Sequence, residues 1–153
     1  KALHKARHRR LSILARAYDL GIPVTVHAAI GTDIIHQQPT MDGAATGEMS
    51  FRDFKVLASV VSRLTRGGVV MNIGSAVVLP EVFLKALTVA RNLGADARGF
   101  TSANFDMLQH YRPRMNVVHR PTRNGGTGYL FTGHHEIMIP LLAAMIKERL
   151  RTR

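Results

Sequence analysis

The sequence contains no cysteine. That excludes a disulfide framework and any cysteine-ligated zinc site. Acidic residues are scarce, ten against 21 Lys and Arg, and the aromatics are three Tyr and six Phe. No apolar run reaches the ~20 residues of a membrane helix before a charge interrupts it, and the chain is expected to be soluble and cytoplasmic. It has neither an initiator Met nor the apolar core and cleavage signal of a secretory peptide. It opens instead on KALHKARHRR, and it is expected to be the C-terminal part of a longer protein.

What is present suits a globular chain. With 153 residues, 46% of them hydrophobic and 20% charged, the composition is that of one folded domain, which we place at residues 1–153. The formal net charge of +11 raises the question of nucleic acid, because phosphate affinity grows with the Lys and Arg that reach a backbone. The basic residues concentrate at the two ends, KALHKARHRR and KERLRTR, and the aromatics are not interleaved with them as stacking platforms. A solvated basic face is the expectation, not a nucleic-acid partner.

Apolar positions Leu11, Leu14, Ala15 and Tyr18 at helical spacing predict a helix over residues 3–19. PVTVHAA reads as a strand. SFRDFKVLASVVSRLTRGG has a serine start and a double-glycine stop and reads as a helix. VVMNIG is the next strand, PEVFLKALTVARNLG the next helix, ARGFTSA (97–103) a further strand, and YLFTG with HHEIMIPLLAAMIKERL a last strand and helix. Pro140 in that helix reads as a kink or a late start. Alternating strands and helices predict an α/β fold, a Rossmann-like parallel sheet with helices on both faces. Ligands of such sheets bind beyond the carboxyl ends of the strands. The segments around His27, Asn72, Thr101 and His134 are therefore expected to converge on one edge.

Candidate site residues follow from those segments. NIGSAVVLP, running from a strand into a helix, resembles a phosphate cradle with Asn72, Gly74 and Ser75 as its contacts. It matches neither GxGxxG nor a Walker loop. The long loop HAAIGTDIIHQQPTMDGAATGE exceeds the ~12 residues that a structureless connection usually needs, which suits a ligand loop with Asp33 and His36 nearest the substrate. His134 and Glu136 are further candidates for acid–base work. No HxxxH or HExxH pair occurs, and no metal is expected. Asp42 fits a turn as well as a ligand contact. Glu48 and Glu81 also suit helix N-termini. Arg112 and Arg114 either clamp an anion or solvate a loop.

Taken in order, MDGAATGE, GVVMNIGSAVV, ARNLGADARGFTSANFD and TGHHEIMIPLLAA resemble the later half of deoxyhypusine synthases, across residues 23–145 and strand by strand. The resemblance implies a Rossmann-like, NAD-binding fold in a homo-oligomer. It implies a transferase or oxidoreductase acting on a small amine or related metabolite. Asp42, Gly43, Gly74, Thr101, Ser102, Ala103 and Asp106 are then the implied contacts to NAD, and Glu48 falls where the family places an acidic amine contact. The family's Trp-Gly-Lys run, with its reactive lysine, is replaced by NVVHRP, containing His119 and Arg120. Imine formation by the family's route has no lysine here, which leaves a binding or assembly module on the same fold as the alternative.

Overall fold

The computed structural model of the chain describes residues 6–152. It divides into two compact units, Lys1–Val56 and Leu57–Arg153. Among the described residues no helix is long and apolar enough to cross a membrane.

In the first unit a 3-10 turn, Arg9–Leu11, precedes α1, Ile13–Asp19. Positions 3–5 of the expected first helix lie outside the described residues. Ser12 caps α1, its Oγ accepting from Ala15 N–H at 3.2 Å, and the helix buries its own Ala15 and Ala17. The expected strand PVTVHAA does not form. A strand requires a neighbour for its ladder, and here side chains of the next helix, α2 (Gly43–Val61), take that place. Asp53 Oδ2 accepts from Val26 N–H at 2.8 Å and Ser50 Oγ from Ala28 N–H at 3.3 Å.

The second unit holds the sheet. β1 (Val69–Ile73), β2 (Thr101–Asp106) and β3 (Thr127–Thr132) are parallel and lie side by side in sequence order. Among the described residues three strands form, not the four expected. Thr101 pairs with Val69 and Thr127, and Phe105 with Ile73 and Phe131. β2 thus starts four residues later than ARGFTSA predicted and runs on to Asp106, its alternation placing Ala103 and Phe105 on one face and Ser102, Asn104 and Asp106 on the other.

Two helical connections join the strands. α3 (Val78–Asn92) links β1 to β2. Between β2 and β3 the chain runs through α4 (Tyr111–Pro113), a π-helical segment (Arg114–His119) and α5 (Arg120–Thr122). With strands in sequence order, crossovers of one hand place both connections on one face. That face is the core: Phe83, Ala86, Leu87 and Ala90 of α3 are buried, as are Val117 and Val118 of the π-helical segment. Phe83 meets Phe100 edge to face, with ring centroids 6.4 Å apart. At Gly128 a Cβ would stand 2.6 Å from Val118 Cγ1, so glycine is what lets the π-helical segment lie down on β3.

The opposite face carries Val69, Met71 and Ile73 of β1 and Tyr129 and Phe131 of β3, and these remain 43–59% exposed. α6 (His135–Arg151) starts at His135 and carries Pro140 inside it, so the helix does not start late at that proline. Only its first turns are half-buried, through His135, Met138, Ile139 and Leu142.

Candidate functional site

The carboxyl ends of the three strands are tied together by a chain of side-chain amides. Asn72 of β1 donates through Nδ2 to Asn104 Oδ1 at 2.6 Å and to Ser75 O at 2.9 Å. Asn104 of β2 donates to Gln109 Oε1 at 2.7 Å. Gln109 in turn donates to Phe131 O at 2.9 Å and Thr132 Oγ1 at 3.1 Å on β3. Backbone bonds run beside it: Gly74 N–H donates to Phe105 O, and Gly133 N–H to Asp106 O. The loops after all three strands are thereby held in one fixed arrangement. Asn72, expected as a phosphate contact, is 7% exposed and belongs to this framework.

On that framework sit Gly74, Ser75, Asp106, His134, His135 and Glu136. Gly74 adopts φ +67°, a left-handed conformation that favours glycine. Directly beside it lies the ring of His135, whose Cε1 would be 3.2 Å from a Cβ at position 74. His135 Nε2 is 3.1 Å from Phe105 O. A carbonyl only accepts, so Nε2 carries the proton, and in the neutral ring Nδ1 keeps its lone pair. Asp106, 8% exposed, accepts Met107 N–H on Oδ1 at 2.8 Å, and its Oδ2 has no partner among the described residues. Ser75 Oγ accepts from Leu79 N–H at 3.3 Å and so steadies the entry to α3.

The histidine turned in over the strand ends is His135. His134 is exposed at the helix N-cap and makes no capping bond, and Glu136 is exposed in the first turn. His134 and Glu136, expected as acid–base residues, are thus turned out to solvent, and the inward histidine is their unpredicted neighbour His135. The available signal was the helix start itself, since the residue after the cap begins the inward-facing stripe with Met138, Ile139 and Leu142.

Beside this edge, in the first turn of α3, Glu81 gathers a cationic cluster. Its Oε2 accepts from Lys85 Nζ at 3.0 Å and its Oε1 from Asn116 Nδ2 at 2.7 Å, while Arg112 Nε lies 3.5 Å away. Arg120 Nη1 donates to Asn116 Oδ1 at 2.8 Å. The Lys85 hydrogen bond foremost, against the opposing effect of burial and with help from the Lys85 and Arg112 charges and Asn116, holds Glu81 below the ordinary carboxylate range. Arg112 is therefore an ion-pair partner and not a free clamp.

Three of the expected cofactor contacts are elsewhere. Thr101 opens β2 at the opposite end of the sheet from Asp106. Ser102 is fully buried, and Ala103, 5% exposed, lies on the other face of the sheet. The expected convergence of the Thr101 segment is thus corrected: TSANFD is the strand itself, and only its last residue reaches the edge.

Asp33, His36, Asp42, Gly43 and Glu48 lie in the first unit, where Asp33, His36 and Asp42 bond to nearby backbone. Asp33 Oδ2 accepts from Ala29 N–H and His36 Nδ1 from Gly31 N–H, both at 3.1 Å, so the two side chains close the loop on its own backbone. Asp42 Oδ1 accepts from Ala45 N–H at 3.0 Å and caps α2, of which Gly43 is the first residue and in which Glu48 is exposed. Between loop and helix remains a cavity of ≈ 290 Å³, lined by Val26, Ala28, Ile35, Met49 and Asp53 among others. His27 Nε2 bonds Thr25 Oγ1 at 3.0 Å. Burial lowers the His27 pKa, against the charge of Asp53. Among the described residues no three His, Asp or Glu side chains gather as a metal site requires.

No protein family, no curated protein and no solved structure matches the chain.

Proposed function

We propose that the carboxyl edge of the sheet binds a dinucleotide of the NAD class, and that the chain is a transferase or oxidoreductase acting on a small amine or related metabolite. One observation carries the reading. Gly74, in a turn leading from β1 to α3, stands next to Asp106 at the end of the neighbouring parallel strand β2. In dinucleotide sites a glycine turn of this kind lets the backbone approach the pyrophosphate, and a carboxylate at the next strand end takes a ribose hydroxyl. Asp106 Oδ2 is available for that bond. NAD supplies hydride transfer when bound. The chain supplies a proton acceptor in His135 Nδ1, whose ring is fixed by its bond to Phe105 O. With Arg120 committed to Asn116 and no lysine in NVVHRP, the imine chemistry of deoxyhypusine synthases is not part of the proposal.

Thermal unfolding with and without NAD tests it. A ligand at 100 times its Kd stabilises the folded state by about 2.7 kcal/mol. Asp106→Asn retains Oδ1 for Met107 N–H, so the ligand-free melting temperature should hold while NAD affinity falls at least tenfold, about 1.4 kcal/mol. No shift at millimolar NAD would overturn the reading. Stabilisation by NAD without turnover of any amine would instead support a binding or assembly module, a reading favoured by the structural bonds that occupy Asp33 and His36.

A further inference from the structure

Of the asparagines in the chain only Asn124, in RNGGTG, is followed by glycine. A glycine N–H has no side chain beside it to keep it from closing on the preceding carboxamide. Whether the pair reacts depends on what else holds the two groups. Asn124 is exposed in the turn 123–125, and neither its carboxamide nor Gly125 N–H has a hydrogen bond among the described residues. Gly125 adopts φ +89°, and no atom lies within 4 Å of where its Cβ would be. Both reacting groups are thus uncommitted. The remaining asparagines are held. Asn72, Asn104 and Asn116 are 7%, 0% and 3% exposed, with their carboxamides bonded. Behind the exposed Asn92, Leu93 N–H donates to Val89 O at 3.0 Å. Asp42 also precedes a glycine, but its carboxylate is a poor electrophile and its Oδ1 accepts from Ala45 N–H at 3.0 Å.

We propose that Asn124–Gly125 is a site of spontaneous isoaspartate formation, a slow covalent modification that loosens the entry to β3. Gly125 N, its proton taken by hydroxide, attacks Asn124 Cγ. The bond from Gly125 N to Cγ forms, the bond from Cγ to Nδ2 breaks, and ammonia leaves after taking a proton from water. Water then opens the cyclic imide. Addition at Cγ restores the ordinary main chain as aspartate, whereas addition at the main-chain carbonyl of residue 124 leaves the chain running through the side chain as isoaspartate. Overall, water is consumed and ammonia released, with no oxidant or cofactor. Position gives the second product its effect. Gly126 N–H donates to Thr122 O at 3.0 Å and Thr127 N–H to Phe100 O at 3.1 Å, and a Cβ on Gly126 would stand 2.5 Å from Phe100 O. This turn has no slack. The extra main-chain carbon of isoaspartate falls inside the loop that the Thr122–Gly126 bond closes, next to the Thr101–Thr127 pair that opens the β2–β3 ladder.

Ageing of the chain, followed by peptide mapping, is the test. Asn124 should exchange NH2 for OH at least about tenfold faster than any other asparagine, and faster at about pH 8 than at about pH 6, as attack by a deprotonated amide requires. The main product should accept methyl groups from an isoaspartate-specific carboxyl methyltransferase. Melting temperature should fall by several degrees as that product accumulates. Two variants separate the readouts. Freshly prepared Asn124→Asp carries the charge of the products without the added carbon and should melt as the parent does. Asn124→Ser cannot form the imide and should keep its melting temperature on ageing. Conversion of Asn124 more than about tenfold slower in the native chain than in urea would show that the turn protects it, and would overturn the proposal. So would an Asn124→Ser chain that loses stability on ageing as fast as the parent, which would trace the loss to another residue.

Discussion

Replacing Asn104 by leucine removes the central link of the amide chain while nearly conserving volume, and its effect can be worked out from the bonds it breaks. Asn104 is fully buried, accepting from Asn72 and donating to Gln109. Leucine leaves one Asn72 N–H without a partner at a position 7% exposed. An orphaned buried donor costs about 1–3 kcal/mol. Gln109 is only half-buried, so its freed Oε1 reaches water and adds little. The expected loss is about 2 kcal/mol, or a fall in melting temperature of roughly 4–8 °C for a chain of this size. Urea unfolding followed by circular dichroism measures it directly. The control is Asn72→Val combined with Asn104→Leu. Removing both partners leaves no orphan between them, so the double variant should be less destabilised than the sum of the singles by at least about 1 kcal/mol. Additive singles, or an Asn104→Leu chain within about 0.5 kcal/mol of the parent, would show that the amides are not coupled and that the strand ends are held by the backbone alone.

Ser102→Ala should be neutral or stabilising by up to about 1 kcal/mol, because Ser102 Oγ is buried with no partner among the described residues. A melting temperature lowered by several degrees would mean that the hydroxyl is satisfied after all. Gly128→Ala places a Cβ 2.6 Å from Val118 Cγ1 and 3.0 Å from Val118 O, which should destabilise by about 2 kcal/mol or more through overpacking. An unchanged urea midpoint would refute that close approach. Burial lowers the pKa of His27, so the folded chain holds this proton less tightly than the unfolded chain. The stability it confers is complete above the unfolded value near about 6.5 and is lost as pH falls through that value towards the folded one. His27→Asn should flatten the melting temperature against pH in that window, and an unaltered slope would assign the dependence to other groups.

The elements that sequence reading placed well are those whose signals are local. Gly94 follows α3, and VVMNI and YLFT are strands, whereas Ser50, expected to open a helix, lies inside α2, which begins at Gly43 behind the Asp42 cap. PVTVHAA failed because its β-branched pattern specifies an extended chain but not a partner, and α2 side chains bind its amides instead. The helical stretch 111–122 escaped because Pro113 and Pro121 look like breakers. Each sits in a short helical piece flanking the π-helical segment, and both are buried. At the candidate site, Gly74, Ser75 and Asp106 could be read from position alone, since a turn after a strand and a carboxylate at a strand end mark the carboxyl edge. Asn104, Gln109 and His135 could not, because their roles depend on which residues lie across a sheet whose register no short motif encodes. Asp33 and His36 looked like ligand groups for their chemistry, but that chemistry is directed at their own loop.

The sequence-order arrangement of β1, β2 and β3 has a bearing on how the second unit comes into being. Each strand needs only the one made just before it, and each intervening helix is complete when the next strand emerges. A chain leaving the ribosome can extend the sheet one strand at a time, with no segment held open for a distant pairing partner. The amide chain cannot be assembled that way. Asn72 waits for Asn104, and Gln109 waits for β3, so its last bonds form only when the final strand arrives. The edge on which the candidate site stands is therefore locked only once β3 has joined the sheet.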